Sequence, residues 1–158
     1  MKIAGKKIEG RNVELIVLPR PLGTNIAFKA EAVLSMDRFN KLVTEPQPPQ
    51  RIVAGGAKVA NVNDAGYKTQ ILDFQAKRLA FLVLESLKAT EQLEWETVKE
   101  DDPNTWTNWE KELADSGFSA IEIGRIRTGV FSANCLNEAL IEAARDSFLQ
   151  GMAESPKQ

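Results

Sequence analysis

The stretch DDPNTWTNWEKELADSGFSAIEI, residues 101–123, decides how the carboxyl-terminal half of the chain folds, because it carries two helix-start signals. Asp102 precedes Pro103, which places a side-chain acceptor before a proline that suits the first turn of a helix. Ser119 and Glu122 have the S-x-x-E spacing of a capping box. We therefore predict two helices joined by a tight turn.

The two tryptophans of this stretch share one face of the first helix. Trp106, Trp109 and Leu113 stand at i, i+3 and i+7, which is the spacing of a single helix face. Two interpretations are open: the rings fill a core, or they line a recognition site. A ligand cage needs converging polar groups or a cation to hold, and the surrounding sequence offers neither. We predict that the tryptophans lie in the core.

A long helix is predicted before this stretch and a final helix after it. The long helix begins at the N-cap candidate Asp64 and ends near Leu87. Its apolar residues cover a wide arc towards its end, so we expect it to contact several other elements. Together the predicted helices form a bundle over residues 63–151.

The final helix is predicted to run from Asn137 to Gly151, where the glycine ends it. Its apolar residues recur at helical spacing, and we expect them to face the bundle. The side chains that we expect it to bury are Leu140, Ile141, Ala144 and Phe148. The polar residues 152–158 that follow are predicted to form a flexible tail.

The amino-terminal part, residues 1–45, has the pattern of strands. NVELIVL and IAFKAEAVL alternate along their length, with β-branched or aromatic residues among the apolar positions. This pattern predicts a small antiparallel sheet, and SMDRFNKLV after it predicts a short helix. The expected fold class is therefore α+β, mainly α, with a small N-terminal antiparallel sheet followed by a C-terminal bundle of about four helices.

Residues 46–62 are predicted to connect these two parts. Pro46, Pro48 and Pro49 impose extended polyproline geometry, and the Gly-Gly pair at residues 55–56 loosens the chain. One interpretation is a surface connector. The other is an arm that lies on a partner protein, since a polyproline segment loses little entropy when it binds.

The composition removes most catalytic chemistry. The chain has no histidine, which is the commonest general base and the commonest metal ligand. Cys135 is the single cysteine, so no internal disulfide or thiolate zinc site is expected, and we predict that it is buried where two helices join. No phosphate loop, calcium loop or nucleophile–base spacing occurs. We predict no catalytic, metal or cofactor site and no enzyme activity.

The charge balance and hydropathy limit the partners. The 20 basic and 22 acidic residues leave a net charge of −2, which does not favour bulk nucleic-acid binding. A helical module that binds nucleic acid or a regulator stays open as a further class of function. No apolar stretch is long enough to cross a membrane, and the amino end lacks the apolar core of a secretory signal. We expect a cytosolic protein.

A pattern of four segments follows the connector: YKTQILDFQAKRLAFLVLESL, EWETV, DPNTWTNWEKELADSGFSAIEIGRI and ANCLNEALIEAARDSFLQG. A tyrosine-containing helix with a central arginine precedes a W-x-x-E-L-x-x-x-G turn, and a closing A-N-x-L … A-x-x-x-F helix pair follows. In this pattern the chain resembles the tail assembly chaperone proteins of tailed bacteriophages. The matching residues are Tyr67, Arg78, Trp109, Glu112, Leu113, Gly117, Ala133, Asn134, Leu136, Ala144 and Phe148. The sizeable sheet-forming amino part departs from that group, whose members are often more fully helical.

The resemblance implies a chaperone that binds the phage tape measure protein and keeps it soluble during tail morphogenesis. The apolar helical segments of a tape measure protein would aggregate before the tail tube polymerises around them. The resemblance also implies action in the host cytoplasm, binding through a shallow apolar groove, and release by competition with tail tube subunits, without ATP. A homo-oligomer stays open. The candidate protein-binding residues are Phe81, Val83, Trp95 and Phe131, taken as exposed apolar side chains, with Pro46, Pro48 and Pro49 of the arm.

The alternative is a structural or connector protein that is retained in the virion. In that case the amino-terminal sheet and the proline arm would grip neighbouring subunits. The protein would then be part of the mature particle and not only of the host cytoplasm.

Overall fold

The structure is a computed structural model that describes residues 1–154. With 45% of the residues helical and 15% in strands, the fold is α+β and mainly helical, as predicted. The strands of the described part are β1 (Lys2–Ile3), β2 (Lys6–Lys7), β3 (Val13–Leu18), β4 (Ile26–Glu31), β5 (Gln50–Ile52) and β6 (Lys58–Ala60). Its helices are α1 (Asp37–Leu42), α2 (Ala65–Leu87), α3 (Asn108–Asp115), α4 (Ala120–Ala133) and α5 (Glu138–Glu154), with a 3-10 turn at Pro21–Gly23.

The chain groups into two compact units. Unit 1 contains Met1–Val33, Ser86–Leu93 and the described residues from Ser119 onward. Unit 2 contains Leu34–Glu85 and Glu94–Phe118. Each unit is therefore built from separate stretches of sequence, whereas the sequence pattern predicts consecutive parts. Helices α2 and α3 belong to unit 2, apart from the last two residues of α2, and α4 and α5 belong to unit 1.

Unit 1 is built on the antiparallel pair β3–β4, which packs against α4. The alternation predicted from the sequence puts Ile16 and Phe28 on the buried face of this sheet. Gly129 of α4 lies against Ile16, because a Cβ atom added to the glycine would lie 2.3 Å from Ile16 Cγ1. The missing side chain at residue 129 is thus what allows α4 to approach the sheet closely.

The start of α4 confirms the predicted capping box. The Ser119 side chain accepts from the Glu122 backbone N–H, and the Ser119 backbone N–H donates to the Glu122 carboxylate. Arg20 also contacts this carboxylate. The Ser119 backbone N–H and then the Arg20 side chain hold the pKa of Glu122 below its ordinary value, because both favour the ionised form.

Asn134 ties the end of α4 to its surroundings in unit 1. Its Oδ1 accepts from the Val33 backbone N–H at 2.8 Å. Its Nδ2 donates to Ser86 Oγ at 2.7 Å and to the Val130 carbonyl at 2.8 Å. Ser86 is completely buried, so this bond satisfies a hydroxyl that has no access to water.

Unit 2 has an aromatic core. The rings of Phe39, Phe74, Phe81 and Trp106 pack with centroids between 5.3 and 6.2 Å apart. Trp106 Nε1 donates to the carbonyl of Lys99 at 3.1 Å. Trp106 and Trp109 are both almost completely buried, which confirms that the tryptophans belong to the core.

The first helix of the opening stretch starts later than predicted. Helix α3 begins at Asn108, and the Asp-Pro pair instead opens a turn in which Asp102 Oδ1 accepts from the Asn104 N–H at 3.1 Å. The Thr105 hydroxyl holds this turn by accepting from the Lys99 N–H at 2.8 Å. Side-chain hydrogen bonds of this kind compete with helix formation, which is why the cap signal was misleading here.

The predicted connector contains a β-hairpin. Strands β5 and β6 pair antiparallel, and Val53 N–H donates to the Ala57 carbonyl at 2.9 Å across the turn. Gly55 and Gly56 both have positive φ, of 92° and 81°, so they form the turn and do not merely loosen the chain. Every residue of the two strands is exposed.

Helix α5 differs most from the prediction. It continues past Gly151 to Glu154, and residues 155–158 of the predicted tail lie outside the described part of the chain. The side chains that were expected to be buried are exposed, with Leu140 at 56% and Phe148 at 67%. The prediction was wrong because helical spacing identifies an apolar face but not whether anything covers it.

Cys135 also departs from the prediction. It joins α4 to α5, as expected, but it is exposed and not buried. Its φ of 54° lies in the left-handed region, which non-glycine residues seldom adopt and which ends a helix.

Candidate protein-binding surfaces

Two of the candidate binding residues lie in the core and not on the surface. Phe81 is 2% exposed and Val83 is 0% exposed, so the expectation that they present an exposed apolar face is wrong. The wide apolar arc near the end of α2 reflects burial and not an exposed binding surface. Six of its eight residues from 80 to 87 are buried, so most of the helix surface at this end is covered.

Trp95 and Phe131 are half-buried and belong to different units. Trp95 lies in the loop before α3, in unit 2. Phe131 lies in the last turn of α4, in unit 1, where its carbonyl accepts from the Leu136 N–H at 2.8 Å. Neither unit by itself brings these two aromatic side chains together.

The proline segment lines a groove of about 710 Å³ in unit 2. Pro46 and the extended residues after α1 line it, together with Phe74 of α2. The charges within the groove are partly paired, since Lys77 Nζ lies 2.8 Å from Asp73 Oδ2. Of the other prolines, Pro48 is half-buried and Pro49 is exposed, and neither lines this groove. Of the three prolines of this segment, Pro46 is thus the one that lines the groove, together with Pro103 from the loop before α3.

An acidic cleft of about 570 Å³ surrounds Glu112 in the same unit. The Glu112 carboxylate accepts from the Thr97 backbone N–H at 2.9 Å, from the Thr97 hydroxyl and from the Glu96 N–H. Burial alone would raise the pKa of Glu112, but these hydrogen bonds outweigh it and the pKa is lowered. This carboxylate is therefore occupied in holding the loop to α3.

Across residues 1–154, no cluster of three or more histidine, cysteine, aspartate or glutamate side chains is arranged to hold a metal ion. Within the same range, none of the helices combines the length and the hydropathy needed to span a bilayer.

An uncovered apolar helix surface in unit 1 is the α5 face, which we define as Leu140, Ile141, Ala144 and Phe148. Leu140, Ala144 and Phe148 form one ridge at i, i+4 and i+8, and Ile141 lies beside it. All four are exposed, and Leu136 just before the helix is exposed as well. Glu142 and Asp146 lie on the opposite side of the helix, and Glu138 and Arg145 lie at the border of the face, three residues before and four residues after Ile141. Helix α5 is therefore amphipathic, with its apolar side open to water.

Sequence reasoning identified the α5 face but assigned it to the core. The spacing of Leu140, Ile141 and Phe148 was a sufficient signal for amphipathicity. The helix also has the expected start, since Asn137 Oδ1 accepts from the Leu140 N–H at 3.3 Å. Only the three-dimensional arrangement reveals that this face is not covered.

Comparison with known proteins found no relative: no protein family matches the chain, and neither a curated protein nor a solved structure matches it. The resemblance to tail assembly chaperones therefore rests on the sequence pattern alone. The residues of that pattern differ in burial, and Tyr67, Glu112 and Asn134 are half-buried. Trp109, Leu113 and Ala133 are buried, whereas Leu136 and Phe148 are exposed on or beside α5.

Proposed function

We propose that this protein is a tail assembly chaperone of a tailed bacteriophage. It binds the tape measure protein in the host cytoplasm and keeps it soluble while the tail assembles. The observation that carries the proposal is the α5 face, an amphipathic helix surface with no cover. The sequence pattern shared with the chaperones supports the assignment, and part of that pattern, including Phe148, lies on this face.

The α5 face fits an amphipathic helix as its partner. Helix α5 has 17 residues, which corresponds to a length of about 25 Å, or nearly five turns. The ridge of Leu140, Ala144 and Phe148 offers a row into which the side chains of a second helix can pack. The small Ala144 between two large side chains leaves room for a knob from the partner. Tape measure segments with an apolar stripe have the required shape.

The size of the face favours weak and reversible binding. Its three large side chains expose on the order of 300 Å² in total, whereas a stable interface buries about 800 Å² on each partner. Several copies along one tape measure chain would together cover a long apolar stretch. Tail tube subunits with larger interfaces can then displace each copy by competition, so release needs no ATP.

Co-expression with the tape measure protein of the same phage tests this proposal. We expect the wild-type chain to raise the soluble fraction of the tape measure protein and to co-purify with it. The double variant Leu140→Gln/Phe148→Gln removes the apolar ridge, and we expect it to lose both effects. Leu149→Gln is the matched control, because Leu149 is also exposed but points away from the ridge.

Two results would contradict the proposal. One is a tape measure protein that stays insoluble and unbound with the wild-type chain. The other is equal activity of the double variant and the wild type, which would remove the α5 face from the binding site. Circular dichroism of both variants shows whether the helix content is unchanged, so that a loss of binding is not a loss of folding.

A connector protein retained in the virion is the second candidate. The observation that favours it is a pair of exposed hairpins, β1–β2 and β5–β6, whose strand residues are all exposed. Exposed hairpins of this kind can lie on neighbouring subunits, and the second one follows directly after Pro49. Quantitative mass spectrometry of purified particles separates the two functions. A chaperone is absent from the particles, whereas a connector is present in a fixed number of copies.

A further inference from the structure

Strand β3 has one edge that pairs with β4 and one edge that is open. The hydrogen bond from the Ala32 N–H to the Asn12 carbonyl, at 2.9 Å, continues the β3–β4 ladder. Because paired and outward-pointing residues alternate in an antiparallel ladder, the backbone groups of Val13, Leu15 and Val17 point away from β4. Within residues 1–154, these groups have no hydrogen-bond partner.

The outer edge of β4, in contrast, is covered. The Thr90 hydroxyl accepts from the Lys29 N–H at 2.9 Å and donates to the Lys29 carbonyl at 3.1 Å. The Thr90 side chain, in the segment after α2, therefore blocks the outer edge of β4 at its middle residue, Lys29. Of the two outer edges of the β3–β4 sheet, only the edge of β4 is protected in this way, and the edge of β3 is open.

The outer face of the sheet is divided into an apolar row and a charged row. Val13, Leu15 and Val17 form the apolar row on β3, and all three are exposed, Leu15 at 63%. Beside it on β4, Lys29 and Glu31 form an ion pair with 3.0 Å between Lys29 Nζ and Glu31 Oε1. The apolar row therefore lies next to the open edge, and the charged row lies next to the covered one.

We propose that a second copy of this chain pairs with the open edge of β3, antiparallel and about a two-fold axis. Leu15 then lies opposite Leu15 of the second copy, and Val13 lies opposite Val17. Each of these pairs exchanges two backbone hydrogen bonds, so all the outward groups of the strand are satisfied. The result is a continuous sheet with one hairpin from each copy.

The pattern fits a second copy better than an unrelated strand. The outward residues read Val-x-Leu-x-Val, which is the same in both directions, so a two-fold axis through Leu15 places similar side chains opposite one another. Pairing also brings the two apolar rows together at the centre, with the ion-paired rows of β4 on either side. An apolar centre with a charged rim is the usual composition of a specific interface.

Of the features with which proteins protect open edges, β3 lacks lysine, proline and a bulge. Its one charged side chain, Glu14, lies on the α4 side of the sheet and not in the apolar row. The strand is only six residues long, so the buried area is below that of a standard interface. We expect a dissociation constant on the order of 10 μM, and the proposal does not depend on the chaperone function.

Sedimentation velocity between about 1 and 200 μM, a range centred on the expected dissociation constant, tests the association. We expect the wild type to shift from monomer to dimer within this range, and Leu15→Lys to remain monomeric. Ala27→Lys is the matched control: it adds the same charge on the same face, but on β4 and away from the open edge. Monomeric wild-type protein throughout, or a Leu15→Lys variant that dimerises normally, would overturn the proposal.

Amide hydrogen exchange at the two ends of that range, read by mass spectrometry with fragmentation to single residues, identifies the edge itself. We expect the amides of Val13, Leu15 and Val17 to become protected as the concentration rises. The amides of Glu14 and Ile16 are already bonded to β4, so we expect them to be protected at every concentration. A dimer in which the odd-numbered amides stay unprotected would use another surface, and would overturn the proposal.

Discussion

Asn134 illustrates how a single residue of the phage-like pattern serves the fold. It joins the Val33 backbone, the buried Ser86 hydroxyl and the Val130 carbonyl, so each of its amide atoms has a defined partner. Glu112, also in the pattern, holds a loop to α3. These polar residues are needed because the backbone groups they bind are not paired by regular secondary structure.

The variant Glu112→Gln tests how much this carboxylate contributes to the stability of the fold. The neutral amide keeps one acceptor oxygen but loses the charge that strengthens the bonds from Thr97 and Glu96. We expect the free energy of unfolding at pH 7 to fall by about 1 kcal/mol, at the low end for such bonds because Glu112 is only half-buried. Urea denaturation measures this change in the free energy of unfolding. Glu94→Gln, an exposed change in the same cleft, is the control and should have no effect.

The pH dependence of this difference gives a second measurement of the same group. The folded-state pKa of Glu112 lies below the ordinary value of 4.5, so the folded state favours the ionised carboxylate. Its contribution to stability is therefore complete above pH 4.5 and is lost as the pH falls through the lowered pKa. We expect the wild type and Glu112→Gln to converge in stability below pH 4.5. A difference that grows as the pH falls would contradict the assignment.

At the scale of elements, the approach of α4 to the β3–β4 sheet depends on Gly129. Replacing this glycine by alanine places a methyl group within 2.4 Å of both Cγ1 and Cδ1 of Ile16. Ile16 is buried, so it has little room to move. We expect Gly129→Ala to lower the free energy of unfolding by about 2 kcal/mol, as overpacking does in other cores.

The same helix provides the control for this prediction. Gly124 lies in α4 with nothing within 4 Å of an added Cβ atom, so Gly124→Ala should stabilise the protein by about 0.5–1 kcal/mol through helix propensity. The double variant Ile16→Ala/Gly129→Ala tests the cause. If the methyl group clashes with Ile16, the two changes together cost less than their sum. Additive effects, or a stabilising Gly129→Ala, would show that α4 does not pack as closely as the structure indicates.

The elements that could be predicted from the sequence are those with local signals. The strands β3 and β4 follow from their alternation, and the start of α4 follows from Ser119 and Glu122. The hairpin of β5 and β6 was missed although its Gly-Gly turn was present, because the nearby prolines favoured an extended connector. Its strands are short and fully exposed, so they have no apolar face to produce a pattern.

The candidate site could not be predicted in the same way, because exposure depends on distant residues. Phe81 and Val83 were taken as surface residues and are buried, whereas Leu140 and Phe148 were taken as core residues and are exposed. The local sequence is apolar in both cases. What differs is whether other segments of the chain fold over the helix, and no local spacing reports that.

At the scale of the whole molecule, the surfaces proposed for binding add little to the stability of the free chain. The α5 face and the outer row of β3 both belong to unit 1 and are exposed. Burying apolar area contributes about 25 cal/mol per Å², and an exposed face contributes none of it until a partner covers it. Stability and binding therefore depend on different residues, and truncation can separate them.

A chain that ends after Leu136 tests this separation. It lacks α5, whose side chains at positions 138–151 are all exposed, so little buried area is lost. We expect the free energy of unfolding in urea to change by less than about 1 kcal/mol, with an unchanged denaturant slope, because the area exposed on unfolding is nearly the same. Ile126→Ala, at a fully buried position of α4, is the contrast and should lower the free energy of unfolding by about 2–5 kcal/mol.

We expect the truncated chain to lose tape measure binding and to keep its concentration-dependent dimer. A loss of stability comparable to that of Ile126→Ala would mean that α5 packs on the rest of the protein, and that its apolar face is not free to bind a partner.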